Sequence, residues 1–149
     1  MSIEIGTKLP TFQLKDQNDE LFNSSENKSE NGLVIYFYPK NFTPQCTKEA
    51  CSFRDSFEDF SNAGIKVIGI SADSEQSHKK FAAKFNLPFT LLADTDKKVR
   101  KLFEVENAMF GLLPGRETFV FDANGILISK FKAMNAQPHI DGALKLLKK

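Results

Sequence analysis

The chain has 149 residues, 41% of them apolar, which suits one domain with a sizeable core and leaves little room for a second. Its 20 basic and 19 acidic side chains leave a formal charge of +1, and this balance argues against nucleic acid or another polyanion as the main partner. No apolar run approaches the roughly 18 residues of a membrane span, and Ser2-Ile3-Glu4-Ile5-Gly6 lacks the basic-then-apolar order of a secretion leader, so a soluble, cytosolic protein is expected.

In chain order, Phe12 and Leu14 alternate with polar neighbours as an amino-terminal edge strand, and residues 23 to 32 read as a polar surface loop. Leu33-Val34-Ile35-Tyr36-Phe37-Tyr38, closed by Pro39, has the continuous apolar pattern of a central strand buried on both faces. From Pro44 a helix is predicted to about Asn62, because Ala50, Phe53, Phe57 and Phe60 recur at helical spacing and Gly64 supplies a stop. Lys66 to Ser71 forms a second buried strand, completing a strand-helix-strand crossover whose first strand delivers the following residues to the carboxyl edge of the sheet. A helix follows from Ser74 to Phe85 with Phe81, Ala82 and Phe85 inward, then a short strand from Phe89 to Ala93 and a helix from about Thr95 marked by Val99, Leu102 and Phe103. Val105 to Gly115 lacks clear periodicity and reads as a loop. Thr118 to Phe121, the turn Asp122-Ala123-Asn124-Gly125 and Ile126 to Lys132 form a hairpin, and Pro138 starts a last helix with Ile140, Ala143, Leu144 and Leu147 on one face. The fold class is α/β, in a single domain spanning 1–149.

Thr43-Pro44-Gln45-Cys46-Thr47 follows the first buried strand directly. Pro44 is favoured in the first turn of a helix and Thr43 before it is a favoured cap, which places Cys46 where helix-end amides and the positive dipole end stabilise a thiolate. Cys51 is the only other cysteine. At 100° per residue, Ala50, Phe53, Phe57 and Phe60 fall within about 40° of Cys46, whereas Cys51 lies about 140° away. Five helical residues rise about 7.5 Å, beyond the roughly 4.4 to 6.8 Å between α-carbons that a disulfide tolerates, so the intact helix cannot bridge the pair. If both thiols act in one cycle, the first turns must unwind. The chemistry this suggests is thiolate attack on a hydroperoxide, giving a sulfenic acid on Cys46 that condenses with Cys51, after which an outside dithiol restores both without a bound cofactor. A dithiol oxidoreductase acting on protein disulfides, or a redox sensor or holdase, uses the same residue types. The Cys-x-x-Cys spacing of thioredoxins is absent, and repeated turnover separates an enzyme from a sensor.

These residues resemble the peroxiredoxins, specifically the bacterioferritin-comigratory or Q subgroup of atypical two-cysteine type. Tyr36-Phe37-Tyr38-Pro39-Lys40 followed by Thr43-Pro44-Gln45-Cys46-Thr47-Lys48-Glu49-Ala50-Cys51 is similar to that subgroup's active-site stretch. Gly6, Pro10, Phe12 and Leu14 match its amino-terminal pattern, and Arg116 ahead of Phe119-Val120-Phe121-Asp122 resembles the segment with its active-site arginine. Gln45 stands where the subgroup often has Gly, and Asn18 replaces a usual turn Gly. The resemblance implies a thioredoxin-like fold, a central mixed sheet flanked by helices with an amino-terminal strand extension. It also implies reduction of hydrogen peroxide and organic hydroperoxides, with an intrachain Cys46–Cys51 disulfide recycled by thioredoxin or a glutaredoxin-like dithiol protein. On the matching positions, Cys46 is the peroxidatic nucleophile and Cys51 the resolving thiol. Thr43 and Arg116 bind the peroxide oxygens, Pro44 shields the sulfur from water and Tyr38 lines the pocket. No cofactor or metal is implied, and resolution within one chain permits a monomer.

Among the remaining residues, Arg54 suits an ion pair with Glu58, and Glu49 reads as an exposed acid that could also order the first helical turns or contact the arginine. His78 and His139 sit in polar contexts at helix starts without partners at metal-ligand spacing.

Overall fold

The structure, a computed structural model, describes residues 3–26, 31–105, 107–108, 113–114 and 117–131. The helix expected after Pro138 lies outside them.

At the centre is a strand, β3 (Gly32–Phe37), every residue of which is buried, as its unbroken apolar run requires. Two parallel strands extend the sheet on one side, β4 (Ile65–Ser71) beside β3 and β5 (Thr90–Ala93) beside β4. On the other side β8 (Glu117–Phe121) pairs antiparallel with β3, and β9 (Leu127–Phe131) antiparallel with β8. The order β5-β4-β3-β8-β9 makes a mixed five-stranded sheet flanked by helices, the thioredoxin-like α/β arrangement. The turn between β8 and β9 is held by the Asp122 carboxylate, which accepts from the amides of Asn124 and Ile126, while Gly125 adopts φ 78°.

Side-chain alternation along β3 builds a core on each face. Val34, Tyr36 and Tyr38 join Cys46, Ala50, Phe53, Phe60 and Phe81 in one cluster, under the helices α1 (Pro44–Asp55), α2 (Phe57–Asn62) and α3 (Glu75–Phe85). Leu33, Ile35 and Phe37 join Phe12, Leu14, Val99 and Phe103 in the other, beneath the amino-terminal segment and α4 (Lys98–Leu102). Burying two full faces of apolar side chains is the main force holding the sheet together.

Several elements depart from the sequence reading, each for a local reason. The helix predicted from Pro44 to Asn62 is broken at Ser56, whose φ of −97° and ψ of 1° end α1 and begin α2. Arg54 pairs with Asp55 at 3.1 Å and donates to the Phe85 carbonyl at 2.8 Å, in place of the expected pairing with Glu58. The amino-terminal strand β1 (Gln13–Lys15) pairs with β2 (Leu21–Asn23) in a separate small hairpin, which meets the main sheet through a bridge between Asp16 and Leu92. Ser24, inside the expected polar loop, is buried because its hydroxyl donates to the Pro10 carbonyl and accepts from the Phe12 amide. Helix α4 starts later than Thr95, since the buried Asp94 carboxylate accepts from the amides of Val99 and Arg100 and fixes the first turn there. The expected loop from 105 to 115 contains a short antiparallel pair, β6 (Asn107–Ala108) with β7 (Leu113–Pro114).

Candidate active site

The site lies where β3 ends and α1 begins. Beyond β3 the parallel ladder runs one residue further, the Tyr38 amide donating to the Ile70 carbonyl at 3.1 Å, so Tyr38 is held against β4. Thr43 then takes the extended backbone of a helix cap, φ −79° and ψ 151°, and its carbonyl accepts from Thr47 at 2.9 Å as Pro44 enters the first turn. Its side chain makes no cap bond; the hydroxyl donates to the Lys40 carbonyl at 2.8 Å. The capping expected of Thr43 is therefore supplied by its backbone alone.

Cys46 occupies the opening turn of α1 and is 1% exposed, packed into the core cluster with Ala50 and Phe53 as the helical spacing predicts. Pro44 is exposed beside it in sequence. Cys51 lies on the same helix, half-buried and outside that cluster, and no disulfide joins the two. Phe53 anchors the helix to the sheet, its ring stacked on Tyr36 with centroids 4.6 Å apart and planes 12° from parallel. Tyr36 in turn stacks on Tyr38 at 5.3 Å.

Tyr38 itself is 1% exposed, and its hydroxyl donates to Asn41 Oδ1 at 2.6 Å. Burial, reinforced by the Asp73, Cys46 and Glu49 charges, raises its hydroxyl well above the ordinary phenol range and keeps it protonated, against a smaller opposing effect from Ser71. Glu49, expected at the surface, is fully buried. At i+3 from Cys46 it shares the inward side of the first two turns, which the Phe stripe alone did not indicate.

His78 is also fully buried, with Nε2 2.9 Å from the Leu92 carbonyl and Nδ1 3.0 Å from Asn41 Nδ2. The two contacts select one tautomer: Nε2 carries the proton to the carbonyl and Nδ1 accepts from the amide. Burial lowers the His78 pKa, opposed chiefly by the Asp73 carboxylate, so the ring is held neutral. The sequence reading placed this residue in a polar context. Its signal was present all the same, since 78, 81, 82 and 85 form one i, i+3, i+4, i+7 stripe. Among the described residues no group of three or more His, Cys, Asp or Glu is arranged to hold a metal ion, and no helix is long and apolar enough to cross a membrane. Arg116 lies outside the described residues; the residue after it, Glu117, pairs with Phe37 at the carboxyl end of β3.

Residues 5–130 match the AhpC/TSA family. The chain is 50% identical over 143 residues to the chloroplastic peroxiredoxin Q of Sedum lineare, covering 95% of this chain and 76% of that protein. Among solved structures, peroxidoxin BcpB of Mycobacterium tuberculosis superposes with a TM-score of 0.88 at 32% identity, covering 97% of this chain and 96% of that one. The Xanthomonas campestris bacterioferritin comigratory protein, described for its alkyl peroxide reduction activity, gives 0.85 at 31% identity with 97% of each chain covered. The cytosolic placement expected from the sequence is overturned by the plant relatives, which are chloroplastic proteins. With its fold and its sequence agreeing over nearly their whole length, the chain belongs to the AhpC/TSA family as a peroxiredoxin of the Q kind, a thiol-dependent peroxidase that takes hydroperoxides as substrate and a thioredoxin-type protein as reductant.

Proposed function

We propose that Cys46 is the peroxidatic nucleophile and Cys51 the resolving thiol of one catalytic cycle. The observation that carries this reading is the position of Cys46 in the opening turn of α1, at the carboxyl end of β3, with a second free thiol five residues along the same helix. In the first step the Cys46 thiolate attacks the terminal oxygen of the hydroperoxide. An S–O bond forms, the O–O bond breaks, and the departing alkoxide or hydroxide takes up a proton to leave as alcohol or water. Cys51 then attacks the sulfenic sulfur, forming the S–S bond and releasing water. Helix geometry keeps the two sulfurs apart until the first turns of α1 open. A thioredoxin or glutaredoxin-like dithiol closes the cycle by exchange.

Thr43 and Arg116 hold the peroxide. The Thr43 hydroxyl, its own proton committed to Lys40, presents lone pairs that accept a hydrogen bond from the hydroperoxide. The role of Arg116 rests on its match to the family segment and on the chemistry of a permanently charged fork facing a developing oxyanion. Pro44 covers the sulfur, and the Tyr38 ring backs the pocket with its hydroxyl turned to Asn41. Both hydrogen peroxide and organic hydroperoxides are substrates of a chain that acts as a monomer and a single domain.

Peroxide consumption coupled to thioredoxin, its reductase and NADPH tests the assignment. Cys46→Ser abolishes turnover, and Cys51→Ser consumes about one equivalent per chain and then stalls. Full turnover by Cys46→Ser rules the assignment out.

A further inference from the structure

We propose that Asn41 is a positioning residue for the peroxidase reaction, the keystone of a buried clamp that fixes the segment carrying Thr43 and Pro44 and so presents Cys46 to peroxide. The proposal rests on the assignment of Cys46 as nucleophile.

Asn41 belongs to no helix or strand, yet it is only 3% exposed. Its backbone amide donates to Asp73 Oδ2 at 2.9 Å, its side-chain Nδ2 donates to Ser77 Oγ at 3.1 Å and to His78 Nδ1 at 3.0 Å, and its Oδ1 accepts from Tyr38 at 2.6 Å. The anchors are themselves held: Asp73 accepts from the Ser71 hydroxyl at 2.6 Å, and His78 reaches the Leu92 carbonyl. The side-chain amide thus ties the linker to Tyr38 at the end of β3, to α3 and, through His78, to β5, while the backbone amide ties it to Asp73 beyond β4. An ordinary surface linker needs none of these bonds, and burying this many polar groups is tolerated only where each finds a partner.

What the clamp secures is the next residue. Phe42 has φ 66°, in the left-handed region, which is costly for an aromatic side chain. Its ring, 45% exposed, rests edge-on against Phe81 at 5.1 Å. Phe42 directly precedes the cap Thr43 and Pro44 at the start of α1, so its left-handed backbone sets the course of the chain into the helix. Without Asn41, Phe42 relaxes to a negative φ, and Thr43 with the opening turn is displaced from the reacting geometry. The clamp lies upstream of the turns that open, so it governs peroxide attack and leaves the Cys51 step alone.

The test is single-turnover oxidation of the reduced full-length protein by hydrogen peroxide, with sulfenic acid and disulfide at Cys46 quantified by mass spectrometry after rapid quenching. Asn41→Ala is expected to slow Cys46 oxidation about tenfold while disulfide formation stays within about twofold of the parent. Adding Phe42→Gly to Asn41→Ala is expected to recover most of the lost rate, because glycine adopts the left-handed conformation without restraint. A merely structural role predicts no such rescue, since glycine weakens the fold further. If Asn41→Ala fails to fold, Ser77→Ala, which removes one acceptor from the same amide, is expected to give a smaller loss with the same selectivity for the first step. Cys46 oxidation at the parental rate in the folded variant, or a loss that Phe42→Gly leaves unchanged, overturns the proposal alone. Oxidation mapping to Cys51 in place of Cys46 in the parent protein overturns it together with the assignment on which it rests.

Discussion

The Thr43 hydroxyl has one proton, and the Lys40 carbonyl holds it. Thr43→Ser keeps both the bond and the lone pairs and is expected to retain most activity, whereas Thr43→Val removes both and lowers kcat/KM about tenfold to a hundredfold in the peroxide assay. At His78 the expected effect is on stability. Its folded-state pKa lies below the ordinary imidazole value of 6.5, so the unfolded chain binds the proton more tightly. The stability held by the neutral ring is present above about pH 6.5 and is lost as pH falls through the depressed value. Thermal melts are expected to show the parent weakening as pH falls below about 6.5, and His78→Gln to flatten that part of the slope while costing about 1 to 2 kcal/mol at neutral pH. Cys46 and Pro44 were legible in the sequence because a cap, a proline and a cysteine in fixed order say where a helix begins. Glu49 and Asn41 were not, because burial of a polar side chain depends on partners supplied by distant segments, such as Asp73 and Ser77.

Among the elements, α1 is held at its middle by Phe53 on Tyr36 and ends at Ser56. Opening of its first turns therefore need not propagate into α2, which keeps its own contacts through Phe60. Hydrogen exchange is expected to quicken at least about tenfold across residues 44 to 52 in the disulfide form relative to the reduced protein, with residues 57 to 62 unchanged. Equal protection of both segments in the two forms contradicts an unwinding step. The long periodic or wholly apolar segments, β3, β4, α3 and the β8–β9 hairpin, were readable from pattern alone. The pairs β1–β2 and β6–β7 were not, because strands of two or three residues carry no period and exist only through the partner they meet.

Across the whole molecule, the two faces of one sheet carry the two cores, and the face beneath α1, α2 and α3 is the one that contains Cys46. Gly69 on β4 makes that face possible. A β-carbon there falls 2.7 Å from Tyr36 Cζ and 3.0 Å from Leu91 Cδ2, so Gly69→Ala forces the Tyr36 ring aside. The variant is expected to lose about 1 to 3 kcal/mol in denaturant unfolding. It should also slow peroxide reduction, because the displaced ring is the seat of Phe53 and hence of α1. The class of fold followed from the order of strands and helices in the sequence. The position of β8 against β3 did not, since an antiparallel neighbour brought in from more than 80 residues away leaves no local trace.

The stack of Tyr36 on Tyr38 has a practical consequence. The chain holds two tyrosines and no tryptophan, and both tyrosines lie within the layer against which α1 packs. Ultraviolet emission from this molecule therefore originates almost wholly in the cluster that contains Cys46, and on the proposed cycle each oxidation and recovery is expected to change the protein's own light without a dye or a label.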